Sequence, residues 1–278
     1  IHPEDQREAC GITRTALPDH LYEDQLYDKW RNVAQPDGTW LPGELYWDES
    51  VQKILSHRRH LFRTWVKHPR TLHVPWSPGV HSDDRVQADL SLIKSGDVVV
   101  TEKLDGEQTT MYSDHIHARS IDGGGHPSRN WVKNLWSGIA HDIPDGWRVC
   151  GENMYAKHSI GYDSLESWFY VHSIWNERNE CLSYDETLQW CELLELLPTP
   201  ELYSGPYDEA RIKACWTPEV HDEREGYVVR SSSAFPMREQ PYRVLKFVRP
   251  GHVQTTKHWM HGQAIEVNGR SEGGSSSS

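Results

Sequence analysis

Residues 98–106 read Val-Val-Val-Thr-Glu-Lys-Leu-Asp-Gly, a β-branched run that closes on a polar turn. Val98–Glu102 has the composition of a strand, and Asp105-Gly106 supplies the residues that end one. Lys103 therefore falls at a strand edge, where a lysine is ordinarily a solvated turn residue. Downstream the same texture recurs. Thr109–Tyr112, Trp147–Gly151, Phe169–Trp175, Gly226–Arg230 and Val244–Val248 are further candidate strands bounded by Gly, Pro and Asp. Two helices are predicted among them: Asp185–Leu197, with Asp185 as N-cap and Pro198 as stop, and Tyr207–Trp216. Strands with few, unevenly placed helices predict an α+β domain of antiparallel sheets rather than a regular βαβ fold.

Upstream the pattern differs. A helix is expected around Leu21–Trp30, and Ile54, Leu55, Leu61, Phe62, Trp65 and Val66 recur near helical spacing within Glu49–His68, which predicts an amphipathic helix. Pro69–Asp84 holds three prolines and a glycine, reads as an ordered loop, and is a structural connector by default. The expected organisation is a partly helical extension over 1–68, the main domain over 69–262, and a flexible tail over 263–278 that ends in Ser-Glu-Gly-Gly-Ser-Ser-Ser-Ser.

A chain of 278 residues can bury a substantial core without disulfide staples. Its mean hydropathy of -0.74 and 25% charged residues describe a soluble protein, with no stretch apolar enough to span a membrane. Ile1–Leu17, broken by Pro3 and Gly11, has no signal-peptide character. The five cysteines are scattered without paired CxxC spacing, so reduced thiols in a cytoplasmic protein are expected. A formal net charge of -12 excludes a general nucleic-acid coating protein, which needs a basic excess to displace counterions. Any such contact must be local. Between Arg224 and Lys257, Arg230, Arg238, Arg243, Lys246 and Arg249 outnumber Glu225 and Glu239, and Arg238 and Arg243 are the candidate nucleic-acid contacts.

Four pieces stand at predicted strand edges: Glu102-Lys103-Leu104-Asp105-Gly106, Gly151-Glu152-Asn153, Glu225-Gly226-Tyr227-Val228-Val229-Arg230 and Leu245-Lys246-Phe247. Singly each is an ordinary turn. In this order and spacing, over roughly Pro69–His261, the chain resembles an RNA ligase of the covalent nucleotidyltransferase superfamily, which includes DNA ligases and mRNA-capping enzymes. The resemblance implies roles. Lys103 takes the position of the nucleophile that becomes AMP-bound, with Glu102, Asp105 and Gly106 in the nucleotide-binding positions around it. Ala118-Arg119-Ser120 resembles the motif whose arginine reaches ribose or phosphates, and Gly151-Glu152 resembles the third motif. Trp168-Phe169-Tyr170-Val171 resembles the strand whose aromatic stacks on adenine, which places that role on Phe169. Glu225-Gly226 resembles the fourth motif and Lys246 the fifth. The implied fold is a nucleotidyltransferase (ATP-grasp-like ligase adenylation) domain of antiparallel sheets flanked by helices, with an N-terminal partly helical extension. No OB-fold domain is expected, because Phe247–Arg270 is too short for one.

The chain departs from the family pattern in three places. Gln108 stands where RNA ligases often have Asn and DNA ligases Arg, which favours RNA over DNA. A single Lys246 precedes Phe247-Val248-Arg249, so Arg249 is the expected second charge of the fifth motif. His172-Ser173 occupies the place of a common phenylalanine–aspartate pair.

The chemistry of the residues agrees with this reading. Lysine attacks phosphorus only as the neutral amine, against an ordinary pKa of about 10.4. Glu102 and Asp105 favour the ammonium, so bound Mg²⁺ (or Mn²⁺), Lys246 and Arg249 must outweigh them, with Glu225, Glu152 and Asp105 as the expected metal holders. Seventeen histidines and thirteen tryptophans show no metal-ligand frame or base-stacking pattern and read as packed or solvated residues. Gly123-Gly124-Gly125 lacks the spacing of a phosphate-binding loop.

The expected function is thus ATP-dependent joining of an RNA 5′-phosphate to a 3′-hydroxyl through lysyl-AMP, after ends are prepared by a kinase or phosphatase partner. A capping-type guanylyltransferase using GTP, a DNA nick ligase and a non-catalytic RNA-binding module are the alternatives.

Overall fold

The structure, a computed structural model, describes residues 65–81, 84–121, 125–251 and 265–271. The predicted helix Leu21–Trp30 and most of Glu49–His68 lie outside these residues, and the described end of the latter, Trp65–His68, forms no regular element. The described chain is built on two sheets.

In the first sheet β1 (Leu72–His73), β12 (Val244–Val248), β10 (Gly226–Ser231), β2 (Asp97–Glu102) and β9 (Glu201–Pro206) lie side by side, antiparallel except for the β1–β12 pair. The second follows the order β11 (Phe235–Pro236), β7 (Glu180–Cys181), β6 (Phe169–Trp175), β5 (Arg148–Asn153), β3 (Glu107–Met111) and β4 (Ile116–Ala118), with β8 (Leu197–Pro198) added parallel to β6. The antiparallel α+β expectation holds. All six predicted strands are present, shifted by a few residues at most.

Period two decides what each face carries. Val98 and Val100, Tyr227 and Val229, and Leu245 and Phe247 share one apolar cluster behind the first sheet. The alternate residues Thr101, Val228, Arg230, Val244 and Lys246 therefore face forward, toward the second sheet. Slipping one strand by one residue would bring its charged side chains into the core and lose about 1.5–3 kcal/mol per exposed apolar group. Behind the second sheet Met111, Val149, Phe169, Val171 and Ile174 form a separate cluster.

Among the described residues four helices pack on this frame: α1 (Asn130–Ile139), α2 (Tyr184–Leu193), α3 (Glu209–Ala214) and α4 (Gln240–Arg243). α1 was not predicted. Its sequence, with Gly138, Asn130, Asn134 and no side-chain N-cap, is a poor helix former, and its Trp131, Val132, Leu135, Trp136 and Ile139 gain stability from packing on the second-sheet core. α2 begins earlier than expected, because Ser183, not Asp185, closes a capping box with Glu186. It also stops before Pro198. Glu195 turns the chain at φ 54°, which buries Leu194 and Leu196 and frees Leu197-Pro198 to pair with β6. Ile265–Ser271, expected within the tail, instead docks on the domain through bridges from Val267 to Ala156 and Arg270 to Leu165.

Candidate active site

The facing surfaces of the two sheets enclose a cleft of about 750 Å³. Thr101, Glu102, Lys103, Val228, Arg230, Val244 and Lys246 come from the first sheet, and Gln108, Glu152, His172 and Ser173 from the second. Pro69–Leu72 and Asp84 close one side, so the proline-rich segment is a wall of the cleft as well as a connector. In a chain of net charge -12, the cleft lining carries Arg70, Arg85, Lys103, Arg119, Arg230 and Lys246 against Asp84, Glu102 and Glu152. Low-dielectric walls lined by one sign of charge concentrate an oppositely charged ligand, here an anion.

Lys103 stands where β2 ends. Its Nζ donates to Glu225 Oε2 at 2.6 Å, and its backbone N–H donates to the Gly226 carbonyl, so both partners come from the start of β10. Burial alone would lower the Lys103 pKa, but Glu225, Glu152 and Asp105 outweigh it and the net shift is upward. Glu225 is buried, at 3% exposure. The carboxyl of Glu152 is pushed up to about 8 by burial, with Glu225 and Asp105 adding to the rise and Lys103 opposing it. Burial also raises Glu102, whose Oε2 lies 3.6 Å from Arg224 Nε.

Across the cleft Lys246 Nζ lies 3.4 Å from Asp84 Oδ1, and the other oxygen of Asp84 lies 3.3 Å from His73 Nε2. Burial lowers the pKa of Lys246, and the nearby Lys103 ammonium lowers it further against the pull of Asp84. Asp84 sets the position of Lys246. The sequence gives no sign of this role, because an Asp in a proline-rich loop has no signal of its own.

Several predicted residues stand elsewhere. Phe169 is 0% exposed in the core behind β6, and its ring packs where a Cβ on Gly151 would come within 2.4 Å. It faces away from the cleft by strand parity. His172 instead lines the cleft by the same alternation, and the register shift where Cys150 pairs with Ser173 and Gly151 with Val171 brings Ser173 to the cleft side as well. Burial and then Arg230 bring the His172 pKa down to about 4, so the ring is neutral, and it meets His68 edge-on with centroids 5.0 Å apart. Asp105 points into the following loop: its Oδ2 accepts the N–H groups of Ser159 at 2.8 Å and Ile160 at 2.9 Å. Gly106 serves backbone packing, because a Cβ there would lie 2.6 Å from the Asn153 carbonyl. Arg249 reaches His221 rather than the cleft, at 2.7 Å.

Arg243 is a structural tie, donating to Glu239 at 3.0 Å and to the Leu92 carbonyl at 3.2 Å. Arg238 is exposed. Gln108, Arg119, Glu152, Glu102 and Lys246 all line the cleft. Asp105, Glu152 and Glu225 do not form a ready metal cluster, and among the described residues no three His, Cys, Asp or Glu side chains do.

The two-sheet α+β scaffold, with a lysine–glutamate pair at the head of an electropositive cleft, is the arrangement expected of a covalent nucleotidyltransferase. The RNA ligase family model matches residues 96–248, more than half of the chain, and the chain belongs to that family. No curated protein matches it. Among solved structures it is similar to an archaeal ATP-dependent RNA ligase at 16% identity and a TM-score of 0.47, over 68% of this chain and 49% of that one. A putative ATP-dependent DNA ligase from Aquifex aeolicus gives 18% identity and a TM-score of 0.46 over 68% and 51% of the two chains. A Naegleria gruberi RNA ligase mutant solved with ATP and Mn gives 18% identity and a TM-score of 0.42 over 75% and 69%. The chain spans about half the length of the archaeal ligase.

Proposed function

We propose that this chain is an ATP-dependent RNA ligase that carries AMP on Lys103. The Lys103–Glu225 pair carries the reading, because it places a nucleophile and a proton acceptor 2.6 Å apart at the edge of a cation-rich cleft. Glu225 takes the ammonium proton. Nζ then bonds to the α-phosphorus of ATP as the bond to the β-phosphate oxygen breaks, and pyrophosphate leaves. The phosphoramide passes AMP to an RNA 5′-phosphate, regenerating the lysine, and a 3′-hydroxyl displaces AMP to form the phosphodiester.

Within this scheme Lys246 neutralises phosphate charge, Arg119 contacts ribose or phosphate, and Glu102 and Gln108 complete the nucleotide wall, all from positions on the cleft. His172 takes the base-packing role assigned from the sequence to Phe169. Mg²⁺ or Mn²⁺ would supply phosphate neutralisation and favour the uncharged amine. Glu152 fits as its holder, with Glu225 beside it until that carboxylate takes the Lys103 proton, since the buried carboxyl of Glu152, raised to about 8, is a place where a cation restores ionisation, and hard cations complete their shells with phosphate and water. The substrates are RNA ends, with Arg238 as the exposed cation of the docking surface and an end-healing kinase or phosphatase as supplier. No helix among the described residues is long and apolar enough to cross a membrane, and the proposed location is the cytoplasm.

The test is intact-mass measurement after incubation with each nucleoside triphosphate and Mg²⁺. One AMP added from ATP, lost in Lys103→Ala, supports the reading. A GMP adduct would replace it with the capping chemistry, and an adduct persisting in Lys103→Ala would remove Lys103 as nucleophile.

A further inference from the structure

The docked segment Ile265–Ser271 presses on the loop 154–168 that joins β5 to β6. Asn268 is its buried centre, at 3% exposure. Its Nδ2 donates to the Met154 carbonyl at 2.8 Å, and its Oδ1 accepts the Tyr162 N–H at 3.0 Å. Its own N–H donates to the Tyr155 carbonyl at 3.1 Å, and its carbonyl accepts Trp168 Nε1 at 2.9 Å. Gly269 follows at a point where any Cβ would lie 2.2 Å from the Asp163 carbonyl, so the backbones meet directly. One asparagine thus fixes both arms of the loop.

That loop grips the Lys103 turn. Tyr162 Oη accepts the Asp105 N–H at 3.1 Å, Ser159 and Ile160 donate to the Asp105 carboxylate, and Leu104 is buried beside Met154 and Leu165. Asp105 lies two residues from Lys103.

We infer that Asn268 is a positioning residue for Lys103, acting through Tyr162 and Asp105; this rests on the ligase reading of Lys103. Removing its side chain leaves the Tyr162 N–H and the Met154 carbonyl buried without these partners, which loosens the loop locally. Lysine attack demands in-line placement within about an ångström, so the loosened turn costs rate rather than ATP affinity.

Two variants and two readouts test this. Asn268→Ala, and Tyr162→Phe, which deletes just the hydroxyl, are compared with the wild-type chain by amide hydrogen exchange and by the rate of Lys103 adduct formation at saturating ATP. The expected result is exchange at Asp105 and Ile160 faster by about tenfold in both, with β2 and β10 amides unchanged. The adduct rate falls by about tenfold in Asn268→Ala, and the ATP concentration for half-maximal rate stays within about twofold. Unchanged Asp105 exchange in Asn268→Ala overturns the inference, as does an equal loss in rate and in ATP affinity. A wild-type chain that forms no adduct with any triphosphate overturns the ligase reading, and the exchange arm then still decides whether Asn268 holds the Lys103 turn. If Asn268→Ala unfolds, the smaller change Asn268→Ser, which also loses the side-chain amide that bonds Met154 and Tyr162, is measured in its place against the same two outcomes.

Discussion

Lys103 Nζ and Glu225 Oε2 lie 2.6 Å apart although 122 residues separate them, and the pair joins the end of β2 to the start of β10. Glu225 raises the Lys103 pKa, so the pair holds the proton that must leave before attack. The rate of adduct formation should therefore rise with pH through the alkaline range. Glu225→Gln should slow the reaction by about a hundredfold or more and also shift that rise to lower pH. A rise unmoved in Glu225→Gln would show that Glu225 does not set the protonation of Lys103. For stability the sign is the opposite: the contribution of the raised Lys103 is complete below its unfolded pKa and is lost as pH rises through the folded value.

Glu152 offers a stability test. A carboxyl raised to about 8 in the folded chain binds a proton that the unfolded chain releases above the ordinary value of 4.5, so folding is weakened as pH rises between them. Glu152→Gln should melt at least about 4 °C higher than wild type at pH 9 and show little difference at pH 4. Mg²⁺ with ATP should narrow the gap by stabilising the ionised carboxylate. Equal melting curves at both pH values would reject a buried, proton-holding Glu152.

Phe169 and His172 should separate core from cleft. Phe169→Ala should lose about 3–5 kcal/mol of stability, measured by denaturant unfolding. His172→Ala should retain the fold and raise the ATP concentration for half-maximal adduct formation by about fivefold or more. A stable Phe169→Ala chain with weakened ATP binding would return the stacking role to Phe169.

Salt should divide the two stages of ligation. Counterion release makes RNA phosphate contacts steeply salt-dependent, whereas ATP held in the cleft is less screened. AMP transfer from pre-adenylylated protein to 5′-phosphorylated RNA should fail at lower salt than adduct formation does. Arg238→Glu should reproduce that loss at low salt, while Arg243→Glu should lower the melting temperature by about 2–4 °C, because Arg243 bonds to Glu239 and the Leu92 carbonyl. Parallel salt curves would remove Arg238 from the RNA surface.

The sequence by itself determined the strand pattern, the α+β class and the family, because these rest on local composition and on short motifs at fixed order. Val98–Glu102, Phe169–Trp175 and Val244–Val248 could be read in this way, and the same motifs named Lys103, Glu152, Arg119 and Lys246, which line the cleft, and Glu225, which bonds to Lys103. Tertiary structure decided which face each side chain took and what it touched. Alternation along β6 put Phe169 and Val171 in the core and His172 in the cleft, and the register shift between β5 and β6 brought Ser173 to the cleft side as well; no one-dimensional pattern records a shift set by pairing with another strand. The bonds of Asp105 to Ser159, of Lys246 to Asp84 and of Asn268 to Met154 span 54, 162 and 114 residues. Such partners meet because packing of the two sheets and the docked segment brings them together, and sequence proximity carries no trace of that encounter.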